Sequence, residues 1–121
     1  MADTTSASCL FCRIVRRQVP SQVAYEDDEV IVFHDIHPAA PVHLLIVPKL
    51  HIDSLLDATS EQQSLLGKML LLAPQLAREQ GATDGFRLIV NNGGGGGQEV
   101  FHLHFHVLGG PRPWRHMSVG R

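Results

Sequence analysis

The chain is poor in cysteine: Cys9 and Cys12 are its only two, too few for the disulfide framework that staples small secreted domains. It also lacks a basic surplus. Ten Lys and Arg against 12 Asp and Glu leave a formal net charge of −2, so no nucleic-acid partner held by cationic side chains is expected. Long apolar runs are missing as well. The longest, residues 44–47 and 69–73, fall far short of the ~20 residues of a membrane helix. The opening residues Met-Ala-Asp-Thr-Thr-Ser-Ala-Ser carry neither the basic nor the apolar region of a secretory signal. These absences together point to a cytoplasmic protein with no membrane partner.

What the chain does have is histidine and glycine. Its 8 His nearly match the 10 Lys and Arg combined, and five of its 11 Gly are consecutive at positions 93–97. With 121 residues, 44% hydrophobic and 18% charged, it reads as one ordinary globular domain. Residues 1–8, small and polar, read as a disordered tail, and 9–121 as the domain.

The pattern of elements predicts an α+β fold. Phe11, Ile14 and Val15 follow helical spacing before Pro20. Residues 23–25 and 30–33, separated by Glu26-Asp27-Asp28-Glu29, read as a hairpin. Residues 44–47 read as a central strand buried on both faces. Ser60 and Gln63 read as a capping box that opens a long helix ending at Gly81, with Pro74 inside it. Residues 86–90 and 102–108 complete a mostly antiparallel sheet.

Most informative is His102-Leu103-His104-Phe105-His106-Val107-Leu108. On a strand, alternate side chains share a face, so the three histidines would line up opposite Leu103, Phe105 and Val107. Such an array suits a merely polar outer face, a metal site, or covalent catalysis in which one imidazole attacks phosphorus. The glycine run just upstream permits close backbone approach to an anion, which favours the third reading over a simple flexible loop.

Gln98-Glu99-Val100-Phe101 followed by the histidine segment and Gly109-Gly110 resembles the signature of the histidine triad (HIT) family, in its Hint branch. Phe33-His34-Asp35-Ile36, residues 40–49 and Phe86-Arg87-Leu88-Ile89-Val90-Asn91 extend the resemblance over nearly the whole chain. It implies a homodimer whose sheet continues across the interface, and cleavage at the α-phosphate of a purine nucleotide. By position, His104 matches the nucleophile, and His106 the triad residue whose side chain contacts the phosphate and whose backbone orients the nucleophile, with His43 nearby. Asp35 matches the carboxylate for the ribose hydroxyls, with Phe33, His34 and Ile36 around the base. Asn91, Gly97, Gln98 and the Val100 backbone match the phosphate side. Glu99 departs from the small hydroxyl residue usual in eukaryotic members; it is either a partner for a cationic leaving amine or a solvated carboxylate. Trp114 stands where the branch often has a tryptophan reaching the partner's site, and reads equally as a packed tail residue.

Cys9-Leu10-Phe11-Cys12 lacks the preceding strand of a thioredoxin-like motif. It suits two ligands of a zinc site or two reduced cysteines packed as small hydrophobes. Relatives with this pair complete a structural zinc site with two histidines, and the matching positions are His51 and His102. No cofactor is needed for catalysis itself. The activity implied is hydrolysis of purine nucleoside phosphoramidates. A dinucleoside polyphosphate hydrolase and a nucleotide-binding adaptor are the alternatives.

Overall fold

A computed structural model describes residues 8–111; Trp114, His116 and all but Ser8 of the tail expected at residues 1–8 lie outside this range. The β-branched and aromatic runs form five strands, β1 (Val23–Glu26), β2 (Val30–His34), β3 (Val42–Pro48), β4 (Phe86–Ile89) and β5 (Phe105–Gly109). They make one sheet in the order β1-β2-β3-β5-β4, with every neighbouring pair antiparallel. The continuous apolar run becomes its middle strand because both faces are covered, and every residue of β3 is buried. On one face Leu44 and Ile46 join Phe105 and Val107 against Leu72, Ala73 and Leu76 of the long helix α2 (Gln63–Glu79). On the other, Leu45 and Val47 join Ile31 and Phe33 around Phe11 of the short helix α1 (Leu10–Val15). No helix among the described residues is long and apolar enough to cross a membrane.

The long helix keeps its predicted end and shifts its start. Gly81, at φ 108°, supplies the left-handed residue of a Schellman motif. Its N–H reaches the Arg78 carbonyl at 3.1 Å, and the Ala82 N–H reaches that of Ala77 at 2.8 Å. The capping box is Thr59 with Gln62, one residue ahead of the expected Ser60 and Gln63. A tight turn at Ser60–Gln62 precedes the α-helix and accounts for the offset. The helix runs on past Pro74 to Glu79.

A second correction concerns the triad itself. The ladder between β3 and β5 begins at Ile46 opposite Phe105, so His102 and His104 precede the strand. Continued, that register would set Leu103 against Pro48, which has no N–H to give. The chain finds other partners: the Leu103 N–H goes to the Ile52 carbonyl at 2.6 Å. The predicted sidedness survives without the ladder. Leu103, Phe105 and Val107 lie in the α2 core, whereas the rings of His102 and His104 face Phe11.

Asp27 fastens the β1–β2 turn to α2. Its carboxylate accepts from Tyr25 Oη at 2.6 Å and from the Glu29 and Val30 N–H groups at 2.8 and 2.9 Å, and pairs with Lys68 at 2.7 Å. Burial alone would raise its pKa; the hydrogen bonds from Lys68, Tyr25 and the two amides overcome that and hold it well below the usual carboxylate range. A depressed folded pKa stabilises above the unfolded value of ~3.9 and is lost as pH falls from there toward the folded value. Asp27→Asn should therefore cost about 1–2 kcal/mol at pH 7, with the gap from the parent narrowing as urea titrations move below pH 4. A gap that widens with acid would contradict this anchoring.

Candidate active site and metal-ligand cluster

Two groups of polar side chains converge on the segment between the glycine loop and β5. The first is Cys9, Cys12, His51 and His102, whose ligand atoms all lie within 4.8 Å of one another. Cys9 caps α1: its Sγ accepts the Cys12 N–H at 3.3 Å, so the two sulfurs share one side of the helix start. Cys12 Sγ lies 3.1 Å from His51 Nδ1 and 3.5 Å from His102 Nδ1, and Cys9 Sγ lies 3.3 Å from His102 Nδ1. Tetrahedral zinc with ordinary Zn–S and Zn–N bonds separates its ligand atoms by roughly 3.3–3.8 Å. The donor set and its spacing fit that ion.

Tautomers agree with this fit. His102 Nε2–H donates to the Pro48 carbonyl at 2.7 Å, and His51 Nε2–H to Asp53 Oδ1 at 2.7 Å. Each therefore turns the lone pair of Nδ1 toward the sulfurs, the outer arrangement that orients metal-bound histidines. Burial pushes the His102 imidazole down to about 4, so it is neutral at neutral pH and keeps that lone pair.

The second group is His104, His106, His43 and Asp35, all buried. His104 Nδ1–H donates to the His102 carbonyl at 2.7 Å, so the backbone that orients this ring is that of His102 and not that of His106 as the resemblance implied; the bond fixes the proton on Nδ1 and leaves the lone pair on Nε2. His106 is oriented from the opposite direction. The Ala39 N–H donates to His43 Nδ1 at 3.0 Å, so neutral His43 carries its proton on Nε2. That nitrogen lies 3.0 Å from His106 Nδ1 and 3.5 Å from Asp35 Oδ2. His106 then carries its own proton on Nε2 and offers a donor beside His104, the ring centroids being 4.9 Å apart. One imidazole holds a lone pair and its neighbour holds an N–H, which suits attack on an atom bearing an anionic oxygen.

Asp35 follows β2 and its N–H bonds the His43 carbonyl at 3.0 Å; its Oδ1 accepts the His37 N–H at 2.8 Å. Sequence reasoning missed its proximity to His43, although the β2–β3 register, with His34 opposite Leu44, brings the two residues together. It also missed Leu10, Ile14 and Val19, which with Phe33, His34 and Ile36 line a small apolar cleft. The signal was available in α1, whose apolar positions do more than fill the core. Ile36 is 72% exposed on the rim of that cleft.

The glycine run is an ordered turn closed on itself. The Gly96 and Gly97 N–H groups bond the Gly93 and Gly94 carbonyls, both at 3.1 Å, and the Gln98 N–H returns to that of Gly93. Gly97 sits at φ 81°, where a side chain is strained. Buried Gln98 braces the turn: its Oε1 accepts the Gly93 N–H at 2.8 Å, and its Nε2 donates to the Asp53 and Val100 carbonyls. Asn91 Nδ2 donates to Gly96 at 2.8 Å. Glu99 is exposed and, with Val100 and Asp53, borders a groove beside Cys9 and His51.

A five-stranded antiparallel sheet with buried histidines clustered at and just before its fifth strand defines a class of fold and site, and the comparisons give that class its family. The model of the HIT domain matches residues 16–112. Protein HitA of Neisseria gonorrhoeae is 55% identical over 104 residues, covering 86% of this chain and 97% of that protein. The purine nucleoside phosphoramidase of Escherichia coli K12 is 46% identical over 111 residues, covering 91% and 90%. Among solved structures, a HIT family hydrolase from Clostridium thermocellum superposes with TM-score 0.87 at 42% identity, over 94% of this chain and all of that one. A Zn-bound histidine triad family protein from Mycobacterium smegmatis superposes with TM-score 0.75 at 35% identity, over 84% and 74%. The chain belongs to the histidine triad (HIT) family.

Phe11 ties the two clusters together, packing edge-on against Phe33, His102 and His104 at ring-centroid distances of 5.4, 6.0 and 5.1 Å. Fully buried, it should cost about 3–5 kcal/mol when truncated to Ala. Chemical denaturation measures this; a loss under ~1 kcal/mol would mean that the α1 side of the sheet is not well packed.

Proposed function

We propose that the chain is a hydrolase that cleaves purine nucleoside phosphoramidates at the α-phosphate through a nucleotidyl-histidine on His104. The observation that carries this reading is the 2.7 Å bond from His104 Nδ1–H to the His102 carbonyl. It leaves Nε2 nucleophilic without any strong base. The family and the phosphoramidase relative support the substrate class.

In this mechanism His104 Nε2 attacks phosphorus and the P–N bond breaks, the amine leaving with a proton taken from solvent, which the water of the second step gives back. His106 Nε2–H donates to a phosphoryl oxygen as charge gathers there, and His43 holds His106 in the tautomer that allows it. Water then cleaves the P–Nε2 bond, releasing the nucleoside monophosphate and restoring His104. Asp35 accepts from the ribose hydroxyls, while Phe33, His34 and Ile36 cover the base. Asn91, Gly97, Gln98 and Val100 form the phosphate side, Gln98 by bracing the loop. Glu99 is the carboxylate that a cationic leaving amine would meet.

Cys9, Cys12, His51 and His102 are the ligands of a structural zinc ion, and the Zn-bound relative supports that choice of metal. When bound, the ion closes a four-ligand site with no open position for substrate. The working unit is a homodimer in which the edge strand β4 continues the sheet into a second copy.

His104→Ala should lower turnover of an adenosine phosphoramidate by at least ~10⁴-fold, while titration calorimetry finds AMP affinity within a few-fold of the parent. Turnover at the parent rate would end this mechanism. A faster rate on diadenosine polyphosphate would reassign the substrate, and negligible rates on both would favour an adaptor. Metal analysis of chain purified without chelator should give about one zinc per chain, lost in Cys12→Ser; a metal-free parent would refute the zinc assignment.

A further inference from the structure

We infer that His43 is a positioning residue that couples sugar binding to the triad: ribose hydroxyls held by Asp35 commit the His43 proton to His106. Sugar recognition is then expressed in the rate of the chemical step and not only in binding. This rests on the reading in which Asp35 takes the ribose and His104 attacks phosphorus.

The sheet lays the three groups on one diagonal. His43 and Leu45 share a face of β3, being two residues apart. His106 stands opposite Leu45 in the β3–β5 ladder, which makes it the diagonal neighbour of His43. On the other side His34 stands opposite Leu44, so Asp35 falls beside His43, its N–H on the His43 carbonyl at 3.0 Å. A slip of one residue in β3 would turn His43 into the α2 core, so the diagonal is fixed by the same register that buries Leu44 and Ile46.

The His43 proton has two acceptors. Nδ1 takes the Ala39 N–H at 3.0 Å, so the proton sits on Nε2, 3.0 Å from His106 Nδ1 and 3.5 Å from Asp35 Oδ2. The imidazole is nearer, but a hydrogen bond to a carboxylate is about twice as strong as one between neutral groups. Both side chains of the Asp35–His43 pair are buried, so little solvent screens that attraction. Asp35 Oδ1 is held by the His37 N–H at 2.8 Å, and Oδ2 is the oxygen that faces His43. In the empty site the two acceptors compete, and His106 is only partly held in its Nε2–H form. Ribose hydroxyls that donate to the carboxylate weaken its pull, and His43 Nε2–H turns fully to His106 Nδ1. His106 then presents Nε2–H to the phosphoryl oxygen. A nucleotide without those hydroxyls would react beside an Asp35 that still draws on the proton.

The test uses the full chain. Long-range ¹H–¹⁵N spectra report which nitrogen of His106 carries the proton, its signals being assigned by their loss in His106→Gln. Adenosine and 2′,3′-dideoxyadenosine are each added to saturation; neither has a phosphate through which to touch His106. Adenosine should convert His106 to the single Nε2–H form, and dideoxyadenosine should leave its resonances as in the free chain. Single-turnover rates on an adenosine phosphoramidate and its 2′,3′-dideoxy analogue then separate the chemical step from binding. The maximal rate should fall about 5-fold without the hydroxyls, the worth of one hydrogen bond, beyond any change in half-saturation. Asp35→Asn keeps an oxygen for the His37 N–H and sets its amide nitrogen at His43 Nε2, which can then donate only to His106. In that variant the two maximal rates should agree within about 2-fold, although ribose binding weakens. Identical His106 spectra with the two nucleosides, or equal maximal rates in the parent, would overturn the inference and leave Asp35 a sugar contact only. Equal affinities for the two nucleosides would overturn it too, since no hydroxyl would then lie on Asp35. Absence of phosphoramidate turnover would instead defeat the functional reading, and the spectra would still decide whether the sugar reaches His106.

Discussion

The hydrogen bond from His104 to the His102 carbonyl is the constraint on which the rest of the site depends. Imidazole is a nucleophile at neutral pH only at the nitrogen that lacks the proton, and one carbonyl at 2.7 Å decides which nitrogen that is. That carbonyl belongs to a residue outside the sheet ladder, so the fold must fix it by other means. Pro48 takes part twice, ending the ladder by having no N–H and accepting His102 Nε2–H on its own carbonyl.

The five clustered histidines are sorted by what their second nitrogen meets. His102 and His51 give Nε2–H to an oxygen and turn Nδ1 toward the cysteines. His104 does the reverse, giving Nδ1–H to a carbonyl and keeping Nε2 for chemistry. His43, whose Nδ1 accepts the Ala39 N–H, passes its proton toward His106, which is left as a donor. One residue type thus turns two lone pairs toward the cysteines, keeps a lone pair on His104 Nε2 and leaves an N–H on His106, with backbone atoms making most of the assignments.

Much of the fold was legible because its signals are local. The apolar run ended by Pro48 marks the buried middle strand, Gly81 marks a helix end, and Glu26-Asp27-Asp28-Glu29 marks a hairpin turn. Alternation at residues 102–107 correctly separated the two sides of the triad segment, since Leu103 and Phe105 enter the α2 core. What alternation does not carry is the ladder, whose loss at Leu103 follows from Pro48, 55 positions earlier. The helix start moved because Thr59 competes with Ser60 as a cap, a choice settled by a tight first turn. In the site, the convergence of Cys9, Cys12, His51 and His102, and of His104 beside His106, was legible from the family resemblance. The contact of Asp35 with His43, the apolar cleft lined from α1, and the self-closed glycine turn were not, because each depends on tertiary pairing.

The central claim is that His104 alone carries the covalent intermediate. Reacting the chain with adenosine 5′-phosphorimidazolide, quenching in alkali and mapping the adenylylated peptide by mass spectrometry addresses it directly. The adenylyl group is expected on His104 and on no other histidine. An adduct on His106 or His43, or steady product release with no trapped adduct on His104, would contradict it.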